Sequence, residues 1–176
     1  EVLFPELQAM VGLTQPTKHH PEGDVFEHTM QSLRSSTQLT HDLLIRFGVL
    51  VHDFGKINSP ENNLPHHYGH DKRGIQVVED FCERLKTSKE FKRTGVAATR
   101  FHMKINLWKE MSGGKTVRML KNIRKTPLGV SGVIDVALAD KKGRNTINQS
   151  FFDDFAGLID LTNDLFRQIN GQTVDF

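Results

Sequence analysis

Between Asp42 and Phe54 the sequence places apolar residues on most faces of one helix, and this segment restricts the available folds more than any other. Leu43, Leu44, Phe47, Leu50, Val51 and Phe54 follow helical spacing, while Ile45 and Val49 form a second apolar stripe. A helix without a polar face cannot lie on a surface, so it belongs at the centre of a domain. It leads into two residues of another kind, His52 and Asp53. Gly55 is expected to take the left-handed conformation that ends the helix, placing both in its last turn.

The rest of the chain predicts helices to surround that centre. Val25 to about Leu39 reads as a helix with Asp24 as N-cap and His28 just inside the first turn. Asn58 to Gly69 holds Pro60, Pro65 and three Asn, which marks a loop ending in His66, His67 and His70. Further helices are expected from Ile75 to Leu85, from Phe91 to about His102, from Thr116 to Ile123 and from Leu128 to Ala139. A last one carries Phe151, Phe152, Phe155, Leu158, Ile159, Thr162, Leu165, Phe166 and Ile169, a stripe most simply read as core packing. No stretch combines strict alternation with β-branched enrichment, so the fold class is all-α, a compact helical domain. We read one domain over 1–176, with a lead-in at 1–23, a core at 24–144 and a C-terminal helix at 145–176.

Charge is unevenly distributed. Residues 1–83 carry 6 basic and 12 acidic side chains (net −6), residues 84–144 carry 16 and 4 (+12), and residues 145–176 carry 1 and 5 (−4). The basic middle is either an ordinary solvated face or a surface that follows a phosphate backbone. On a short helix, Arg118, Lys121, Arg124 and Lys125 recur on roughly one side, with Lys115 at its start, which would suit sequence-independent nucleic-acid binding. Gly113-Gly114-Lys115-Thr116 is not a P-loop, since Lys109 stands where the first glycine is required. The single Cys82 excludes an intramolecular disulfide, and no apolar run is long enough to span a membrane, so a cytoplasmic setting is expected.

An imidazole and a carboxylate at adjacent positions, His52 and Asp53, can both reach a divalent ion at a helix end. Taken alone, the pair is better explained as a buried, hydrogen-bonded histidine beside a capping aspartate. Context favours a metal: His28 lies one helix upstream, and Asp140 follows an apolar helix where a carboxylate is otherwise costly. Two His and two Asp leave open positions for water and a phosphate oxygen, as hydrolysis requires. Lys56, one turn on, is placed to bind phosphoryl oxygens.

The order His28, His52-Asp53, Asp140, with Gly55-Lys56 after the pair, resembles the HD superfamily of metal-dependent phosphohydrolases. Leu3-Phe4-Pro5-Glu6-Leu7, Gln15-Pro16, His20-Pro21-Glu22, His28-Thr29-Met30, Arg46-Phe47, Pro65-His66-His67, Gly69-His70, Phe101-His102, Lys115-Thr116, Ala139-Asp140 and Gly143-Arg144 resemble the HD domain of bacterial CCA-adding tRNA nucleotidyltransferases. Tyr68 within the histidine loop, Asp71 in place of Glu, and Leu138-Ala139 before Asp140 depart from that pattern. The resemblance implies an all-helical phosphohydrolase acting on 2',3'-cyclic nucleotide phosphates and 2'-nucleotides, with general phosphatase activity and an association with tRNA. It implies one divalent ion (Mn, Ni, Co or Mg) with room for a second. Nothing in the sequence matches the nucleotidyltransferase head, so the chain is expected to be an excised C-terminal domain or a free-standing relative, with a homodimer open to it.

In this reading His28, His52, Asp53 and Asp140 hold the ion, and Asp53 doubles as general base. Lys56 offsets phosphoryl charge. His70 and His102 either ligate a second ion or protonate the leaving ribose oxygen, the second role being preferred. His66 and His67 are loop polar groups or phosphate contacts, and Arg73 and Arg144 are phosphate clamps or surface groups. Two rivals stay open: a non-catalytic tRNA-binding module, and an HD phosphohydrolase for a free nucleotide.

Overall fold

The computed structural model describes residues 3–144 and 149–171, excepting the side chains of residues 149–152, 154 and 169–171. Eight α-helices occur among these residues: α1 Pro5–Met10, α2 Val25–Leu39, α3 Leu43–Val51, α4 His70–Arg84, α5 Lys89–Asn106, α6 Gly113–Arg124, α7 Gly129–Gly143 and α8 Gln149–Gly171. Extended pairing among them is confined to one isolated antiparallel bridge, Thr14 with Asp24. The all-α expectation holds.

Capping chemistry sets several helix starts. Asp24 Oδ1 accepts the Glu27 N–H at 2.9 Å, and its Oδ2 accepts the Gly12 N–H at 2.7 Å, so one carboxylate caps α2 and ties the lead-in to it. Asp42 accepts from Leu44 N–H at 2.7 Å to open α3. As its apolar girth requires, α3 packs against α2, α5 and α7. Its Ile45 and Val49 join one core cluster with Ala98, Phe101, Leu120 and Val136. Val51 joins a second with Val25, Phe54, Val78 and Phe81. In α8, Phe155, Leu158 and Thr162 are buried as expected, Ile159 is exposed, and Phe151, Phe152 and Ile169 lie outside the described side chains.

Element ends differ from the sequence reading in ways that matter for the site. Helix α3 stops at Val51, His52 caps it, and Asp53 leads into a 3-10 turn over Phe54–Asn58. Gly55 is not among the glycines with positive φ, which corrects its expected role. It is needed for close approach: a Cβ there would collide with the His70 carbonyl oxygen and sit 2.5 Å from Gly74 N. Helix α4 starts five residues before the first apolar repeat at Ile75, so His70 opens it and lies against the turn that follows Asp53. Helix α7 runs through to Gly143, which puts Asp140 within its last turns rather than after it. The short α1 was not anticipated.

Candidate metal centre

Five helices and one turn each deliver donors to a common point. His28 comes from the first turn of α2, His52 from the end of α3, Asp53 from the residue before the 3-10 turn, His70 from the start of α4, His102 from within α5 and Asp140 from α7. All six are buried. His28 Nε2 lies 2.9 Å from Asp140 Oδ1 and 3.9 Å from Asp53 Oδ2, and His52 Nε2 lies 3.4 Å from Asp53 Oδ2 and 3.9 Å from Asp140 Oδ1. The other Asp53 oxygen, Oδ1, faces His70 Nε2 at 3.2 Å and His102 Nε2 at 3.6 Å. Asp53 thus bridges two donor groups, His28–His52–Asp53 and Asp53–His70–His102.

The ring orientations fit divalent ions. His52 Nδ1 lies 2.6 Å from the Val49 carbonyl, His70 Nδ1 3.0 Å from that of His67, and His102 Nδ1 3.0 Å from that of Thr99. A carbonyl only accepts, so each Nδ1 donates, and each Nε2 of a neutral ring would present its lone pair to an ion, as in histidine metal ligands oriented by their other nitrogen. Among the described residues His52 Nε2 is a buried atom without a hydrogen-bond partner, and the Nε2 atoms of His70 and His102 are 3.4 Å apart. Lone pairs converging on carboxylate oxygens repel, and a bound cation removes that repulsion.

Buried charges surround the donors. Lys56 Nζ lies 2.6 Å from Asp53 Oδ2 and donates to Gln15 Oε1 at 2.8 Å. Arg144 Nη2 donates to both Asp140 oxygens at 2.7 Å. Burial opposes the charge on Asp53, but Lys56 and His52 overcome it and hold the carboxyl well below the usual carboxylate range. Burial is likewise overcome at Asp140, by Arg144 and His28. His28 is raised above the ordinary imidazole value: burial disfavours its charge, and the hydrogen bond to Asp140 and the Glu22 carboxylate outweigh that cost.

Several expected roles are corrected by this geometry. His102 is buried and, with His52 beside it, is pushed down to about 3, which disfavours the expected role of acid for a leaving group. His70 shares its orientation, which suits a ligand rather than a proton donor. His67 is no free phosphate contact, since Nδ1 meets Ser59 Oγ and Nε2 meets the Thr14 carbonyl, both at 2.8 Å. These bonds hold a residue whose φ of 56 is unfavourable for any side chain. Arg73 is a loop clamp, donating to the Tyr68 carbonyl at 2.7 Å and to Ser59 Oγ at 3.0 Å. Arg144 grips a ligand carboxylate instead of standing free for phosphate, although it still lines the cleft. Lys115, Arg118, Lys121, Arg124 and Lys125 all belong to α6 or its C-terminal cap, and none lines the cleft with the donors. Arg124 stacks over the Phe166 ring at 4.2 Å, so part of the proposed basic stripe packs on α8.

Two functional residues were missed. Glu22 Oε1 lies 2.8 Å from His28 Nδ1 and accepts from Gln15 Nε2 at 3.1 Å, so a chain of contacts runs from His28 through Glu22 and Gln15 to Lys56. The motifs Gln15-Pro16 and His20-Pro21-Glu22 were visible, but their roles depend on the lead-in crossing over the site. Three of the six donors, Asp53, His70 and His102, open into a cleft of about 520 Å³ that Lys56 and Arg144 also line. A groove of about 580 Å³ between α5 and α6 holds none of the donors.

The histidines give the metal-free protein a defined acid sensitivity. Burial, with Lys56 and Arg144 nearby, pushes His20 down to about 3, as burial and His52 do for His102. Both titrate near 6.5 in the unfolded chain, so their stabilisation is complete above that pH and is lost as pH falls towards 3. Each should cost about 2–3 kcal/mol at pH 4.5 relative to pH 7. His28 has the opposite sign, contributing below 6.5 and losing that contribution as pH rises through its folded value. Urea unfolding of EDTA-treated protein at the two pH values checks this, and equal stability at both would contradict it.

Comparison with known proteins agrees with this centre. The HD domain family profile matches residues 25–142, from the first turn of α2 to just past Asp140. The chain is similar to the multifunctional CCA protein of Shewanella denitrificans, 34% identical over 176 residues, covering 99% of this chain and 42% of that protein. It is also similar to the multifunctional CCA proteins of Nitrosococcus oceani (32% over 145 residues, 81% of this chain, 36% of the relative) and Acinetobacter baumannii (35% over 144 residues, 81% and 35%). The chain therefore spans less than half the length of these relatives. Matched over most of its length by the family profile, with the His and Asp donors of that span brought together, the chain belongs to the HD domain family.

Proposed function

We propose that this chain is a divalent-metal phosphohydrolase acting on 2',3'-cyclic nucleotide phosphates and 2'-nucleotides, in the setting of tRNA 3'-end processing or repair. The observation that carries the reading is Asp53, whose two oxygens each face a separate pair of imidazole Nε2 atoms. His28, His52, Asp53 and Asp140 would hold one ion, and Asp53, His70 and His102 a second. When bound, such ions supply Lewis-acid polarisation of a phosphoryl oxygen and lower the pKa of a bound water.

The chain's own groups do the rest. Asp53, held ionised, would be shared between the two donor groups as a ligand, and a carboxyl held so far down is a weak proton acceptor, which favours the ligand role over that of general base. Lys56 lines the cleft and places a fixed cation where phosphoryl oxygens would sit, while Arg144, donating to both Asp140 oxygens, fixes that carboxylate. Glu22 orients His28 from behind. Mixed His and Asp donors suit manganese, nickel, cobalt and magnesium alike.

Purified protein is expected to hydrolyse 2',3'-cyclic AMP and 2'-AMP with at least one of these metals, and to lose turnover in EDTA and regain it on metal addition. Absence of turnover with all four, together with salt-sensitive tRNA binding, would favour a non-catalytic RNA-binding module. Faster hydrolysis of ordinary free nucleotides in the same assay would instead assign a free-nucleotide substrate.

A further inference from the structure

The floor of the cleft is ionic, but its rim is not. Tyr68, the only tyrosine in the chain, is 66% exposed and stacks on His66, with ring centroids 5.3 Å apart and planes 12° from parallel. Met103 and Leu107, contributed by the last turn of α5 and its C-cap, are 42% and 44% exposed and line the same cleft. Single exposed apolar residues are ordinary, whereas an aromatic pair and two long aliphatic chains rimming one polar cleft form a binding wall.

The backbone that carries Tyr68 is pinned. The Tyr68 carbonyl accepts from Arg73 Nη1 at 2.7 Å and from Asn63 Nδ2 at 3.4 Å, and Gly69 turns the chain with φ of 79 directly into α4. Across the cleft, Lys104 and Asp71 pair at 3.1 Å and tie the end of α5 to the start of α4. Tyr68 is two residues from the donor His70, so their Cα atoms lie within about 7.6 Å. A ring carried on backbone at that range from the proposed centre, and lining the same cleft, is placed for a flat group joined to the phosphate through a sugar.

Resting on the phosphohydrolase reading above, we propose that the Tyr68–His66 stack is the platform for the substrate's nucleobase, which selects nucleoside phosphates over phosphate esters that lack a base. Stacking accepts any base, because every base offers a π-face, so the selection is for base over no base rather than for one base.

The test compares KM and kcat for 2'-AMP and for glycerol 2-phosphate in the wild type, Tyr68→Ala and Tyr68→Trp. The wild type should prefer 2'-AMP through KM. Tyr68→Ala should raise KM for 2'-AMP about tenfold with little change in kcat, and so lower the preference by the same factor, while Tyr68→Trp should retain it. An unaltered preference in Tyr68→Ala, or no preference in the wild type, would overturn the proposal. Should neither ester be turned over with any metal, the phosphohydrolase reading fails and calorimetric binding of 2'-AMP decides separately. An affinity that drops about tenfold in Tyr68→Ala supports the platform, and equal affinity or no binding overturns it.

Discussion

Asp53→Asn is expected to lower metal-dependent phosphohydrolysis by about a thousandfold or more, because oriented partners behind a ligand are already worth about 10–100-fold and Asp53 serves both donor groups at once. The amide keeps the volume of the carboxylate and removes its charge. His28 and His52 on one side, and His70 and His102 on the other, then face a neutral group. Lys56, buried 2.6 Å away, loses its counterion. Removing one partner of a buried pair typically costs about 3–5 kcal/mol, but here the Gln15 oxygen and the new amide oxygen still accept from the ammonium, so the loss should be smaller. Activity with each metal and an equilibrium titration with Mn²⁺ give the two readouts. A variant that keeps more than a tenth of wild-type turnover with unchanged Mn²⁺ affinity would remove Asp53 from the centre.

Gly55→Ala should be the most damaging substitution of a single hydrogen by a methyl group in the described chain. The added Cβ would meet backbone, the His70 carbonyl oxygen and Gly74 N, which cannot rotate away as a side chain end can. Overpacking ordinarily costs about 1–3 kcal/mol, and a collision with fixed backbone should reach about 3 kcal/mol or more. Relief requires α4 to lift off the turn that follows Asp53, which draws His70 away from Asp53 Oδ1, so activity should fall in the protein that remains folded. Gly114→Ala is the matched control: nothing lies within 4 Å of its Cβ, it sits in the first turn of α6, and it should change stability by less than about 0.5 kcal/mol. Urea midpoints for both variants, beside turnover, check the pair. Equal stability in the two would contradict the close-approach argument.

The comparison with the sequence shows where legibility ends. His28, His52, Asp53 and Asp140 could be named because chemically distinctive residues stood at the edges of apolar repeats, where packing alone does not call for them. The central place of α3 followed from its lack of a polar face. The helix start at His70 was hidden, because the apolar repeat of α4 begins only at Ile75 and the turn before it depends on Gly69. For His67 residue type leaves a loop polar role and a phosphate contact both open, as it leaves clamp and surface roles for Arg73, and only the fold shows both bonded to the loop that carries them. Glu22 and Gln15 were present as motifs without roles, since nothing local says that residues 13–24 cross beneath α2 to meet Lys56. Residue type reveals which groups can do chemistry, whereas partners contributed by a distant crossing are a property of topology.

The contact between His28 and Asp140, 2.9 Å in space and 112 residues apart in sequence, has a kinetic meaning. Closing a loop of that span costs chain entropy before any contact rewards it, and features built on such separations are slow to form. The centre therefore assembles late, after α2 and α7 have found each other. On a chain emerging from the ribosome the imidazoles stand apart, so a divalent ion held by these groups would find its site only in the finished fold, and any choice among metals would be made there.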